Sequence, residues 1–178
     1  AACLYIKEGV KIEPLLHGGG QENQMRSSTV NIPAIIGFAK ACEIAKKEME
    51  ADAERLSKLR EKLVKGALKI KDSHLNGHPK DYLSNIVNFW FSYIEGESLI
   101  IQLDLWGVSC STGSACSSST LEPSHVLLAI GLKPQQAHGS LRVSFGKRTT
   151  EKDIDYLLEV LPKIIKQLRQ ISPFKRNF

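Results

Sequence analysis

Apolar side chains recur along this 178-residue chain at more than one spacing, and each spacing predicts an element. Ala2 to Ile6 is a short apolar run that reads as a strand. His17 to Thr29 carries almost no apolar residues and no period, so it reads as a functional loop or a linker. From Pro33 the pattern turns helical. Ile36, Ala39, Cys42, Met49, Ala53, Leu56, Leu59, Leu63, Ala67 and Ile70 follow at intervals of mostly three or four, Asn31 can cap the start, and Pro33 suits a first turn. One helix of some 35 residues is predicted, against an ordinary mean of about 11 or 12. Asn76-Gly77-His78-Pro79 then breaks the chain, and a new subdomain starts near residue 73.

Ile86 to Phe91 is β-rich and apolar enough for a buried strand. Beyond it the pattern predicts a short helix around Glu97 to Leu103, a strand at Trp106 to Ser109, a helix from Pro123 to Ile130 and a strand Leu141 to Phe145. The last helix opens where Thr150 and Asp153 form a capping box, and it continues through Leu157, Leu161, Ile164 and Leu168. Pro162 inside that pattern is expected to kink or interrupt it. Strands alternating with helices, without internal repeats, make the chain α/β with an α+β small domain.

Composition narrows the class. Hydrophobic residues make up 42% and charged residues 24%, which suits a globular chain and not a disordered or collagen-like one. No apolar run approaches the roughly 18 residues a membrane span needs. The net charge of +5 sits in the tail: Lys163, Lys166, Arg169, Lys175 and Arg176 lie beyond Pro162 with no acid among them, and elsewhere bases and acids balance. Bases gathered at a helix end, without interleaved aromatics, argue against nucleic-acid binding and for favourable C-terminal cations or a docking patch. Cys3, Cys42, Cys110 and Cys116 include no CxxC pair and no zinc spacing, which predicts a reducing, cytoplasmic setting and no metal. The apolar start at Ala1, without Met, reads as the interior of a longer chain.

Ser109 to Thr120 is twelve residues without a large side chain, a stretch expected to be mobile. Cys116 within it is either a reactive thiol or an inert one; Cys110, at a strand end, reads as buried. Arg142 interrupts the apolar run Leu141-Arg142-Val143-Ser144-Phe145, where a guanidinium is either salt-bridged or a fork for a carboxylate. Gly18 to Gly20 let backbone approach an anion, and Arg26, Ser27, Ser28 and Thr29 add donors suited to phosphate. His17 reads as a turn residue, while His125 and His138 have no partner pattern.

Four stretches taken in order resemble the NifS-type cysteine desulfurases, pyridoxal-phosphate enzymes of the class V aminotransferase fold. They are His17-Gly-Gly-Gly-Gln-Glu22 with Arg26-Ser-Ser-Thr29; Tyr93-Ile-Glu-Gly-Glu-Ser98; Ser111-Thr-Gly-Ser-Ala-Cys-Ser117 with Glu122-Pro-Ser-His125; and Leu141-Arg-Val-Ser-Phe-Gly146. The resemblance implies that Cys116 is the persulfide-forming nucleophile, that Arg142 holds the substrate α-carboxylate, and that Thr29 joins the cofactor phosphate site of the neighbouring subunit in a homodimer. It implies three parts: the end of a large cofactor domain at 1–30, a connecting helix at 31–72 and a small domain at 73–178. It also implies the substrate L-cysteine, release of alanine, and delivery of sulfur to an iron-sulfur cluster scaffold or a tRNA-thiolation acceptor. Where the family usually shows Arg-Ser-Gly-Thr, this chain has Ser28 in place of the glycine. The Schiff-base lysine falls upstream of Ala1 in such proteins, and Lys7 and Lys11 do not sit in its motif, so this chain alone is expected to be inactive. Two other readings stand beside this one: a sulfur-relay module without cofactor, and a sister enzyme, selenocysteine lyase or cysteine sulfinate desulfinase.

Overall fold

The structure, a computed structural model, describes residues 1–112 and 122–173. Close contacts divide the chain into two compact units, Ala1–Glu50 and Ala51–Phe178.

In the first unit, residues 1–20 form no regular element. The strand expected at Ala2 to Ile6 is absent, since no described segment pairs with it, and Leu4 and Tyr5 are exposed. A β-prone run without a partner leaves its backbone donors to water. A turn at Gln21–Gln24 is left-handed, with φ of 51°, 54° and 65° at Glu22, Asn23 and Gln24. The long helix α1 runs Ile32–Ala67, 36 residues. Asn31 caps it as its side-chain oxygen accepts from the Ala34 amide at 3.2 Å, and Pro33 lies in the first turn, where no donor is needed. Exposed pairs such as Lys40–Glu43–Lys47 and Lys58–Glu54 line its solvated side.

The second unit is built on a three-stranded antiparallel sheet of β1 (Ser73–Asn76), β2 (Ile86–Phe91) and β3 (Ser140–Ser144), with β2 in the centre. Between β2 and β3 come α2 (Gly96–Leu105), α3 (His125–Ala129) and α4 (Pro134–His138), and α5 (Glu151–Ile171) closes the described chain. Trp106 to Ser109 is not a strand. Its place is taken by the turn that ends α2, where the Trp106 and Val108 amides return to the Leu103 carbonyl, and Ser111 makes an isolated bridge to Arg142. Pro162 does not interrupt α5. Val160, Leu161, Ile164 and Ile165 around it are fully or almost fully buried, so packing outweighs the hydrogen bond that proline removes. The capping box forms as predicted: the Thr150 Oγ1 accepts from the Asp153 amide, and the Asp153 carboxylate accepts from the Thr150 amide at 2.7 Å.

The pleat decides what the sheet presents. Val87, Phe89 and Phe91 of β2 with Leu141 and Val143 of β3 point to one face, where Leu56, Leu59 and Leu63 of α1, Leu99 and Leu103 of α2 and the apolar stripe of α5 complete one buried cluster. Their paired neighbours alternate to the opposite face: His74, Asn76, Asn88, Trp90, Ser140 and Arg142. With α1, α2 and α5 on the core side, the second face carries the polar side chains.

Candidate active site

Arg142 belongs to that second face. In the sequence it looked like a charge dropped into an apolar strand; the register shows alternation, with Leu141 and Val143 turned into the core and Arg142 half-buried on the other side. No ion pair to its guanidinium occurs among the described residues. Its backbone is tied on both sides. Asn88 is its partner on β2, and Ser111 exchanges two hydrogen bonds with it: the Arg142 amide donates to the Ser111 carbonyl at 2.6 Å, and the Ser111 amide to the Arg142 carbonyl at 3.2 Å. Cys116 lies outside the described residues, as does most of the small-residue loop; it follows Ser111 by five positions.

Cys110, one residue before that bridge, packs against the apolar cluster, and burial pushes its thiol up to about 11. It is therefore protonated and unreactive at neutral pH. The expectation that Cys110 is buried is met in part, since its side chain is half-buried against the cluster. Cys3 and Cys42 are exposed.

Thr29 is exposed in the first unit, at the end of the glycine loop. Ser27 is buried, and its hydroxyl donates to the Gly19 carbonyl at 3.0 Å, which pins the loop across eight residues. Arg26 donates through Nη1 to the Ser27 carbonyl at 3.1 Å. A polar cavity of about 380 Å³ opens among Pro14, His17, Gly18, Gly19, Gly20, Gln24 and Ser27. His17, read as a turn residue, lines this cavity. Ser28 holds φ of 96°, so four residues other than glycine in this short loop, Glu22, Asn23, Gln24 and Ser28, occupy the left-handed half of backbone space. Such strain persists where surroundings over-determine it, and it clusters at ligand sites. The donor set fits a phosphoryl group: side-chain-free glycines, the exposed hydroxyls of Ser28 and Thr29, and the neighbouring Arg26.

A second and larger cavity, about 580 Å³, lies beside the Tyr93 to Ser98 motif, lined by Trp90, Tyr93, Ile94, Glu95, Glu97 and His138 among others. Tyr93 sits at φ 68°. The approach to it is held by Arg169, which donates to the Ser92, Lys71 and Asp72 carbonyls at 3.1, 2.7 and 3.1 Å. The sequence reading missed this clamp, and also the stack of His74 on Trp90, with ring centroids 3.8 Å apart. The stack follows from the β1–β2 register and the clamp from α5 meeting the segments that flank β1 and β2, and no local pattern announces either. His125 is exposed at the start of α3. Among the described residues no group of His, Cys, Asp or Glu gathers to hold a metal ion, and no helix is long and apolar enough to cross a membrane.

A small antiparallel sheet backed by helices, with Arg142 on the face away from the core, fits an α/β fold of the aminotransferase type. The class-V aminotransferase family model matches residues 2–157, and the chain belongs to that family. It is 53% identical over 98% of its length to a cysteine desulfurase IscS 1 of Archaeoglobus fulgidus, of which it covers 46%, and 55% identical over 99% of its length to a cysteine desulfurase IscS of Clostridium botulinum, of which it covers 45%. A solved NifS-like protein superposes with a TM-score of 0.80 at 38% identity, over 92% of this chain and 42% of that one. The chain thus spans a little under half the length of the curated relatives it matches.

Proposed function

We propose that this chain is the C-terminal portion of a pyridoxal-phosphate cysteine desulfurase acting in the cytoplasm, with residues 1–30 closing a large cofactor domain, 31–72 connecting, and 73–178 forming the small domain. The observation that carries the reading is the reciprocal hydrogen-bonded pair of Ser111 and Arg142, because it fixes the root of the Cys116 loop to the strand that presents the arginine. Five residues reach at most about 17 Å, so the thiol cannot stray far from that root, and a carboxylate held by the guanidinium lies within the thiol's range.

In this reading Arg142 takes the α-carboxylate of L-cysteine as a two-pronged fork. Thr29 and the glycine loop hold the phosphate of the cofactor bound by the neighbouring subunit of a homodimer. Pyridoxal phosphate, when bound, supplies the electron sink that makes the substrate carbon skeleton able to release sulfur. The Cys116 thiolate attacks the substrate sulfur; the new S–S bond forms as the C–S bond breaks, the bonding pair stays with carbon, and protonation there gives alanine. Cys116 is left as a persulfide, its outer sulfur open to an acceptor thiol on an iron-sulfur scaffold or a tRNA-thiolation protein.

The test uses the full-length enzyme. Cys116→Ser should abolish protein-bound persulfide, detected by mass spectrometry, without changing cofactor absorbance. Arg142→Lys should lower kcat/KM for L-cysteine by about 10- to 100-fold, the loss expected when a charge-assisted fork becomes a point contact. Persulfide that survives Cys116→Ser and vanishes in Cys110→Ala would overturn the assignment.

A further inference from the structure

Asn76, Asn88 and Arg142 stand side by side across the three strands. Asn76 pairs with Asn88 in the β1–β2 register, Asn88 pairs with Arg142 in the β2–β3 register, and all three are half-buried on the face away from the core. Directly opposed residues of an antiparallel ladder bring their Cβ atoms within about 4.5–5.5 Å, so these side chains are neighbours. The Asn76 Nδ2 donates to the Asn88 Oδ1 at 2.6 Å. That bond sets the orientation of the Asn88 amide. β2 is the central strand, so an oxygen committed toward β1 leaves the amide nitrogen, with its two N–H donors, on the β3 side where Arg142 stands. Two donor groups cannot bond one another. A guanidinium and an amide N–H₂ placed together call for a shared acceptor with more than one oxygen.

We infer that Asn88, oriented by Asn76, is a second donor to the carboxylate that Arg142 holds, so that the anion site is built from two strands and not from one arginine. The inference rests on the reading of Arg142 as the carboxylate fork. Asn88 touches the anion, whereas Asn76 is a positioning residue acting through it. A donor that fixes the second oxygen sets the rotation of the carboxylate about the guanidinium, and with it the direction of the rest of the amino acid.

The experiment compares L-cysteine with cysteamine, which keeps the amine and the thiol and lacks the carboxylate, in the full-length holoenzyme. Asn88→Ala is expected to raise KM for L-cysteine about tenfold with kcat within about twofold, and to leave the Ki of cysteamine as a competitive inhibitor unchanged. Asn76→Ala should give the same pattern at about threefold, since the amide remains but turns freely. Asn88→Asp, which places a carboxylate against the guanidinium, should raise KM further than Asn88→Ala. Equal changes for L-cysteine and cysteamine, or an unchanged KM in Asn88→Ala, overturn the inference. Arg142→Lys is the control: if it alters L-cysteine and cysteamine alike, the fork reading itself falls, and if it discriminates while Asn88→Ala does not, only the role of Asn88 falls. Thermal unfolding of each variant separates loss of fold from loss of contact.

Discussion

Leu15 and Leu161 are the same residue in opposite circumstances, 94% exposed in the first unit and 0% in the second. The contrast is general. Among the described residues up to Glu50 only Ser27 is buried, although Leu4, Tyr5, Ile32, Ile35 and Ile36 are as apolar as anything in the core. Beyond Ala51 a single cluster draws on α1, β2, α2, β3 and α5. Within this chain, which spans under half the length of its relatives, the first unit shows little apolar burial of its own and a set of backbone devices: glycines, left-handed residues, the Ser27–Gly19 bond and the Asn31 cap. The second takes its shape from buried area. Within these 178 residues the two units should therefore respond differently to substitution.

The sharpest way to test that contrast is truncation of one apolar side chain in each unit. Phe89→Ala, at a fully buried position of the central strand, should cost about 3–5 kcal/mol, while Ile36→Ala, at 65% exposure, should stay within about 0.5 kcal/mol. Urea denaturation of the two variants against the parent checks this; similar costs would show that the first unit also rests on apolar packing.

A backbone substitution should reverse the ranking. Ser28→Gly removes the strain of φ 96° and is expected to stabilise the loop by about 1 kcal/mol, whereas Ser28→Ala, with the same φ and no hydroxyl, brings no gain. Amide exchange across residues 26–29 reads the effect locally.

Smaller still is the cap of α5. Thr150→Ala should cost about 1 kcal/mol. Hydrogen bonds from the Thr150 backbone amide and then its hydroxyl hold the Asp153 carboxyl below its ordinary range. A depressed folded-state value means the cap's contribution is present above the ordinary carboxylate range and is lost as pH falls through the lowered value. Acid unfolding of Thr150→Ala should therefore lose part of the parent's pH dependence; an identical acid limb would show that the cap is not the source.

These differences also explain what could be read before the structure. Asn31 with Pro33, and Thr150 with Asp153, are signals complete within four residues, and α1 and α5 begin where they say. Strands are different, because a β-rich run needs a partner that its own sequence does not name. Ala2 to Ile6 and Trp106 to Ser109 have the composition of strands and no ladder. Pro162 misled for a related reason: the local rule is real, but the buried side chains on either side of it decide the outcome. At the site, Arg142 stood out because a charge among apolar residues is conspicuous. Asn88 did not, although it breaks the same kind of run two residues before Trp90. Its partners Asn76 and Arg142 are 12 and 54 residues away, and only the register brings them together.

Cys110, half-buried against the apolar cluster, has one more consequence. A protein that carries sulfur on one cysteine faces a hazard from any second thiol close by in the chain, which can capture the outer sulfur or close a disulfide and discharge the load early. Both reactions need a thiolate. With its thiol pushed up to about 11 by burial, Cys110 stays protonated at neutral pH. Packing against the apolar cluster thus keeps this thiol silent, as the persulfide role proposed for Cys116 requires.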